Sequence, residues 1–246
     1  MKRLIFQVSV GERRPCYGFC IDSAAAYCAR HGIDHEVLTE PVLKIAPHDS
    51  ARSENALRLG YLPIYEKENA FSRLETYDEV AIIDADVWLR PTAPNIFEEL
   101  GSEAAFAGVM EQDAPITNKY RQKINAYSIG QYGSIAGECG MREAKGEGYW
   151  FFNMGVMVLT QEALAYLDGE TPEQFIRRPE FERFVNGRGS WKWSTDQTLL
   201  NYWLRKDKVP RQMLKWTWNA LYGGVRPEKL REAHFVHFFL SDHLPR

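Results

Sequence analysis

Asp84 and Asp86 stand one residue apart at the end of the apolar run Val80-Ala81-Ile82-Ile83. Short apolar runs rich in β-branched residues suit a strand covered on both faces. Ligands of open α/β sheets bind at the carboxyl ends of such strands. Residues i and i+2 of an extended chain share a face, so the two carboxylates are expected to converge on one hard cation. A solvated strand-end turn is the plain alternative, because D-x-D alone is a short pattern.

Four other groups could join that chemistry. Asp196 and Gln197 begin a run with an apolar helical face of Leu199, Leu200, Trp203 and Leu204. Ser194 and Gln197 fit a capping box there, and an acidic residue suits the positive end of a helix. A helix start also points side chains at a cleft, so cap and site are compatible. Gly155, beside Asn153, either lets another group approach the backbone closely or marks a core strand packed by Met154 and Met157. His237 shares a strand face with Phe235 and Phe239 and reads by pattern as a hydrogen-bonded core histidine; Lys67 reads as a solvated helix lysine.

The elements that must position these groups follow a β–α alternation, the signature of a parallel sheet. Residues 3–10 predict a strand, 17–30 a helix closed by Gly32, and 35–38 a second strand. Residues 55–74 have a helical rhythm with Pro63 as a kink or break. After the Val80 strand come a short helix at 96–100 and a strand at 104–109. Residues 111–148 are polar and glycine-rich, long for an idle connection, and read as a functional loop region with some helix around 119–127. A strand at 149–160, helices at 161–167, 172–185 and 194–205, and a strand at 233–240 complete the chain. With no repeat and no linker, one domain over residues 1–246 is the simpler account.

Composition narrows the class. The chain is 45% hydrophobic and 26% charged with a net charge of −3, which gives no reason to expect nucleic-acid binding through phosphate neutralisation. Cys16, Cys20, Cys28 and Cys139 form no CxxC pair, so neither a zinc site nor a disulfide framework is expected. The apolar N-terminus is broken by Gln7 and Ser9 and reads as a strand rather than a signal peptide. No segment approaches the ~20 apolar residues of a membrane span. A cytoplasmic, soluble protein is the expectation.

Four segments occur in a recognisable order: D-A-D at 84–86, F-N-M-G-V-M-V-L at 152–159, S-T-D-Q-T-L-L-N at 194–201 and H-F-V-H-F-F at 234–239. Together they resemble glycosyltransferases of the glycosyltransferase-A fold, in the family that includes glycogenin and the bacterial lipopolysaccharide galactosyl- and glucosyltransferases (glycosyltransferase family eight). The resemblance spans residues 1 to about 243. It implies an α/β fold, a single glycosyltransferase-A-like domain whose mostly parallel central sheet carries helices on both faces.

It also implies transfer of a hexose from a nucleotide sugar, UDP-linked, to an acceptor (glycan, lipid-linked glycan or protein) with retention. By resemblance Asp84, Asp86 and His237 are ligands of Mn²⁺ or Mg²⁺, the imidazole favouring Mn²⁺. A cation on the diphosphate would stabilise the leaving group. Asp196 and Gln197 would lie beside the donor sugar at the reacting carbon, Asn153 and Gly155 would line the sugar pocket, and Lys67 and Ala85 would face the donor. Val8, Ser9 and Tyr17 would hold the base, and 111–148 would lie on the acceptor side. The tail departs from the family pattern: Leu240 replaces a glycine and His243 stands where a lysine approaches the diphosphate.

Two other classes compete. An apolar strand ending D-x-D-V also resembles the nucleophile strand of haloacid-dehalogenase-type phosphatases, with Asp84 attacking phosphate, although that motif usually lies near the N-terminus and is followed by a later acidic cluster. The altered tail is also compatible with a non-catalytic nucleotide-sugar-binding homologue.

Overall fold

The computed structural model describes residues 1–11, 13–47 and 58–239. In chain order its strands are β1 (Arg3–Val8), β2 (Asp34–Leu38), β3 (Glu79–Ile83), β4 (Val87–Leu89), β5 (Phe106–Met110), β6 (Glu143–Ala144), β7 (Gly148–Tyr149), β8 (Phe152–Thr160), β9 (Arg211–Leu214), β10 (Ala220–Leu221) and β11 (Phe235–His237). Its α-helices are α1 (Cys16–His31), α2 (Asn118–Tyr132), α3 (Ala136–Cys139), α4 (Pro172–Ile176), α5 (Glu182–Val185) and α6 (Asp196–Lys206).

Six strands form the central sheet in the order β2-β1-β3-β8-β5-β9. Three of its five pairings are parallel, and β8 runs antiparallel between β3 and β5. Side-chain alternation divides the strands between two cores. Leu4, Phe6, Val80, Ile82 and Leu159 pack under α6 and a 3₁₀ stretch, Pro63–Glu75; Ile5, Ala81, Ile83 and Val158 pack under α1. A strand buried on both faces has no use for polar residues, which is why Val80 to Ile83 is continuously apolar.

Two irregularities aim the sheet at one place. Gly108 of β5 pairs with Met157 of β8, but the next residue, Val109, pairs with Asn153. Met154, Gly155 and Val156 are therefore a bulge, a device that re-aims side chains beside sites. A separate three-stranded sheet, β10-β11-β4, sets His237 of β11 opposite Val87 of β4, one residue past Asp86. Two distant segments of sequence thus meet at the end of β3.

Several local expectations are corrected. Residues 111–148 are not mainly loop: they hold α2, capped where the Thr117 side chain accepts from the Tyr120 N–H, the short α3 and the β6–β7 hairpin. The positions α2 buries are Tyr120, Ile124, Ser128, Gln131 and Tyr132, too polar to register as an apolar stripe. Pro63 opens the 3₁₀ stretch instead of kinking a helix, and residues 55–57 lie outside the described residues. Pro179 splits the helix expected over 172–185 into α4, a 3₁₀ turn and α5, because a residue preceding proline avoids the helical region. All four cysteines are buried and free. Among the described residues no helix is long and apolar enough to cross a membrane.

Candidate active site

Asp84 and Asp86 converge by a mechanism other than strand alternation. The chain turns immediately after β3: the Val87 N–H donates to the Asp84 carbonyl at 3.0 Å, and the Asp84 N–H donates to the Gly155 carbonyl at 2.8 Å. Asp84 leaves the sheet, Ala85 fills the turn, and Asp86 enters the space in front of β11. The Phe238 N–H donates to the Asp86 carbonyl at 2.9 Å and ties the turn to the second sheet.

Lys67 is the cation between the two halves of the site. It is only 4% exposed, so it is not a solvated helix lysine. Its Nζ lies 2.8 Å from Asp84 Oδ1 and 2.6 Å from Asp196 Oδ2, and donates to the Met154 carbonyl. Burial alone would pull the ammonium down, but Asp196 and Asp84 carry it above its ordinary value, so it stays charged.

Asp196 and Gln197 begin α6, but the cap differs by one residue from expectation. Thr195, not Ser194, is the N-cap, and its hydroxyl accepts from the Gln197 N–H. The Gln197 side chain is consequently not consumed by a capping box. Its Oε1 accepts from the Met154 N–H at 3.3 Å, at the bulge of β8.

His237 closes the cluster. Its Nε2 lies 3.2 Å from Asp86 Oδ1 and 3.7 Å from Asp84 Oδ2, while Nδ1 lies 3.0 Å from Asn219 Oδ1. Burial alone would lower the imidazole, but Asp86 and Asp84 raise it above its ordinary value. Burial would likewise raise Asp86, yet His237 and Arg14 hold its carboxyl below the usual range. The close approach at Gly155 is made by His237: a Cβ on Gly155 would collide with Cε1 and Nδ1 of the ring.

These groups line one cavity of about 570 Å³, together with Val8, Tyr17, Ala85, Asn153 and, from residues 111–148, Glu111, Tyr120, Lys123, Ile124 and Tyr127. Ser9 does not reach it; it is buried, with Val8 and Val10 at the wall instead. His243 and Leu240 lie outside the described residues.

Three participants had no sequence signal. Arg14, in the run Arg13-Arg14-Pro15, places Nη1 2.6 Å from Asp86 Oδ2 and donates from Nη2 to the Phe238 carbonyl. Asn219 faces His237 from the residue before β10, and Glu111, at the end of β5, accepts from Asn153 and Tyr120. Each acts through a contact between segments far apart in sequence.

Asp84, Asp86 and His237 each offer one ligand atom, all within 4.8 Å of one another. Two carboxylate oxygens and an imidazole suit a divalent cation. With Nδ1 engaged by Asn219, Nε2 is the nitrogen that faces the carboxylates, so the donor set fits an ion.

No protein-family model matches the sequence, and no curated protein matches it. Solved structures do. The chain is similar over 98% of its length to a glycosyltransferase involved in glycosylation of the major capsid of PBCV-1, covering 94% of that chain at 14% identity and a TM-score of 0.56. It is similar over its whole length to mouse xyloside xylosyltransferase 1, covering all of that chain at 13% identity and a TM-score of 0.55. The fold is glycosyltransferase-A-like.

Proposed function

We propose that this chain is a metal-dependent glycosyltransferase that moves a hexose from a nucleotide sugar, UDP-linked, to an acceptor with retention. One observation carries the reading. A group able to hold a cation (Asp84, Asp86, His237) and a helix start (Asp196, Gln197) line the same cavity, with Lys67 bridging them. The glycosyltransferase fold of its structural neighbours supports it.

Asp84, Asp86 and His237 would hold Mn²⁺ or Mg²⁺, which as a Lewis acid stabilises charge on a departing diphosphate. Lys67 fixes the carboxylates of Asp84 and Asp196 and adds a buried positive charge near the same phosphates. Arg14 brings a second positive charge, carried on a guanidinium, to the same wall of the cavity. Asp196 and Gln197 orient the sugar. Gln197 carries an amide, a poor nucleophile, which favours a front-side route to retention over a covalent intermediate on that residue. Val8 and Tyr17 border the base, and α2 presents Tyr120, Lys123 and Tyr127 towards the acceptor side.

A phosphatase built on Asp84 needs a second acidic cluster, and among the described residues Asp84, Asp86 and His237 form the one group of this kind. The test is a panel of nucleotide sugars, pentose and hexose donors included, followed for hydrolysis with Mn²⁺ and with EDTA. Metal-dependent release of a nucleoside diphosphate from one donor is expected. Binding with no turnover, acceptor mixtures included, would instead make the chain a non-catalytic binding module.

A further inference from the structure

A chain of buried hydrogen bonds runs from α2 to the proposed metal ligand, and each link has a defined direction. The Tyr120 hydroxyl donates to Glu111 Oε1 at 2.6 Å, and Asn153 Nδ2 donates to Glu111 Oε2 at 2.7 Å. Asn153 Oδ1 accepts from the Gly155 N–H at 2.9 Å and from Asn219 Nδ2 at 2.8 Å. Asn219 Oδ1 then faces His237 Nδ1 at 3.0 Å. Glu111, Asn153, Asn219 and His237 are each at most 7% exposed, so their polar atoms depend on these partners.

Direction follows from the one donor that cannot change. A backbone N–H only donates, so Gly155 fixes the oxygen of Asn153 and turns its NH₂ towards Glu111. An oxygen at Asn153 requires the NH₂ of Asn219, which leaves the Asn219 oxygen facing the ring. Nδ1 of His237 must therefore carry a hydrogen, so when a cation lies between the ring and the carboxylates it is Nε2 that offers the lone pair. That is the nitrogen beside Asp86 and Asp84.

We infer that Asn219 and Asn153, anchored by Glu111 and the Gly155 N–H, are positioning residues that set the His237 tautomer so that Nε2 is presented to the cation. This rests on the metal reading above, and it changes what Asn153 is for: its side chain is committed to Glu111, Gly155 and Asn219. Outer partners of this kind fix ring orientation at metal sites, and their loss typically costs about 10–100-fold in metal affinity.

The experiment compares wild type with Asn219→Leu and with the double exchange Glu111→Gln/Asn153→Asp. Histidine-labelled protein is observed by long-range ¹H–¹⁵N correlation at alkaline pH with diamagnetic Mg²⁺ bound, and Mn²⁺ binding is measured by calorimetry without nucleotide. Wild-type His237 is expected to be protonated at Nδ1 alone when the cation is bound. Asn219→Leu should lose that preference and bind Mn²⁺ about 10–100-fold more weakly. The double exchange swaps amide and carboxylate along the chain but keeps a donor or acceptor at every link, so it should retain both the tautomer and most of the affinity, a rescue that a purely space-filling role would not produce. An Nε2–H ring in cation-loaded wild type would overturn the inference, and so would a double exchange as impaired as the Leu variant. A wild type that binds neither cation would overturn the metal reading and the inference with it.

Discussion

Lys67 shows how much a single buried charge decides here. Asp196 is 2% exposed and has Lys67 at 2.6 Å, and the same ammonium satisfies Asp84. Lys67→Met would leave buried carboxylate charge without its cation, so urea denaturation should show a loss of ~3–5 kcal/mol. A loss under ~1 kcal/mol, the size of an exposed pair, would contradict this account of the residue. His237 supplies a pH test. Its folded value is raised above the ordinary 6.5, so in the metal-free protein its stabilising contribution is complete below about pH 6.5 and is lost as pH rises through the raised value. A cation at Nε2 competes with that proton, so Mn²⁺ affinity should rise with pH over the same window with proton release. Melting curves with EDTA and with Mn²⁺ should diverge as pH rises; curves that stay parallel would contradict the ligand assignment.

At the scale of elements, the site depends on where each one starts and stops. The Thr195 cap sets the rotation at which α6 begins, and with it the directions of Asp196 and Gln197. Thr195→Ala should lower stability by about 1 kcal/mol in chemical denaturation; an unchanged midpoint would show that the cap lies elsewhere. This boundary marks the limit of what the sequence could reveal. The apolar face of Leu199, Leu200, Trp203 and Leu204 identified the helix, but Ser194 and Thr195 are equally good caps on composition, and only tertiary contacts choose between them. The same holds for α2, whose buried face holds two tyrosines, a serine and a glutamine beside a single isoleucine, Ile124. Its burial reflects partners such as Glu111 and Ser190, which no local pattern announces.

For the molecule as a whole, the β–α alternation and the apolar β3 made the fold class legible, and the ordered segments at 84–86, 152–159, 194–201 and 234–239 brought nearly half of the cavity's lining residues with them. What stayed hidden is register. The reversal of β8, its bulge at Met154 to Val156, and the small sheet that carries His237 to Asp86 are long-range pairings. Arg14 and Asn219 became visible only through them. On the function proposed above, this assembled cavity binds a nucleoside diphosphate through a cation held by Asp84, Asp86 and His237. The most direct test is thermal unfolding of wild type and Asp86→Asn with UDP, in Mn²⁺ and in EDTA. At a hundredfold excess over Kd, UDP with Mn²⁺ should stabilise the wild type by ~2.7 kcal/mol, with little effect in EDTA or in the variant. No stabilisation by any nucleoside diphosphate, with or without the cation, would contradict it.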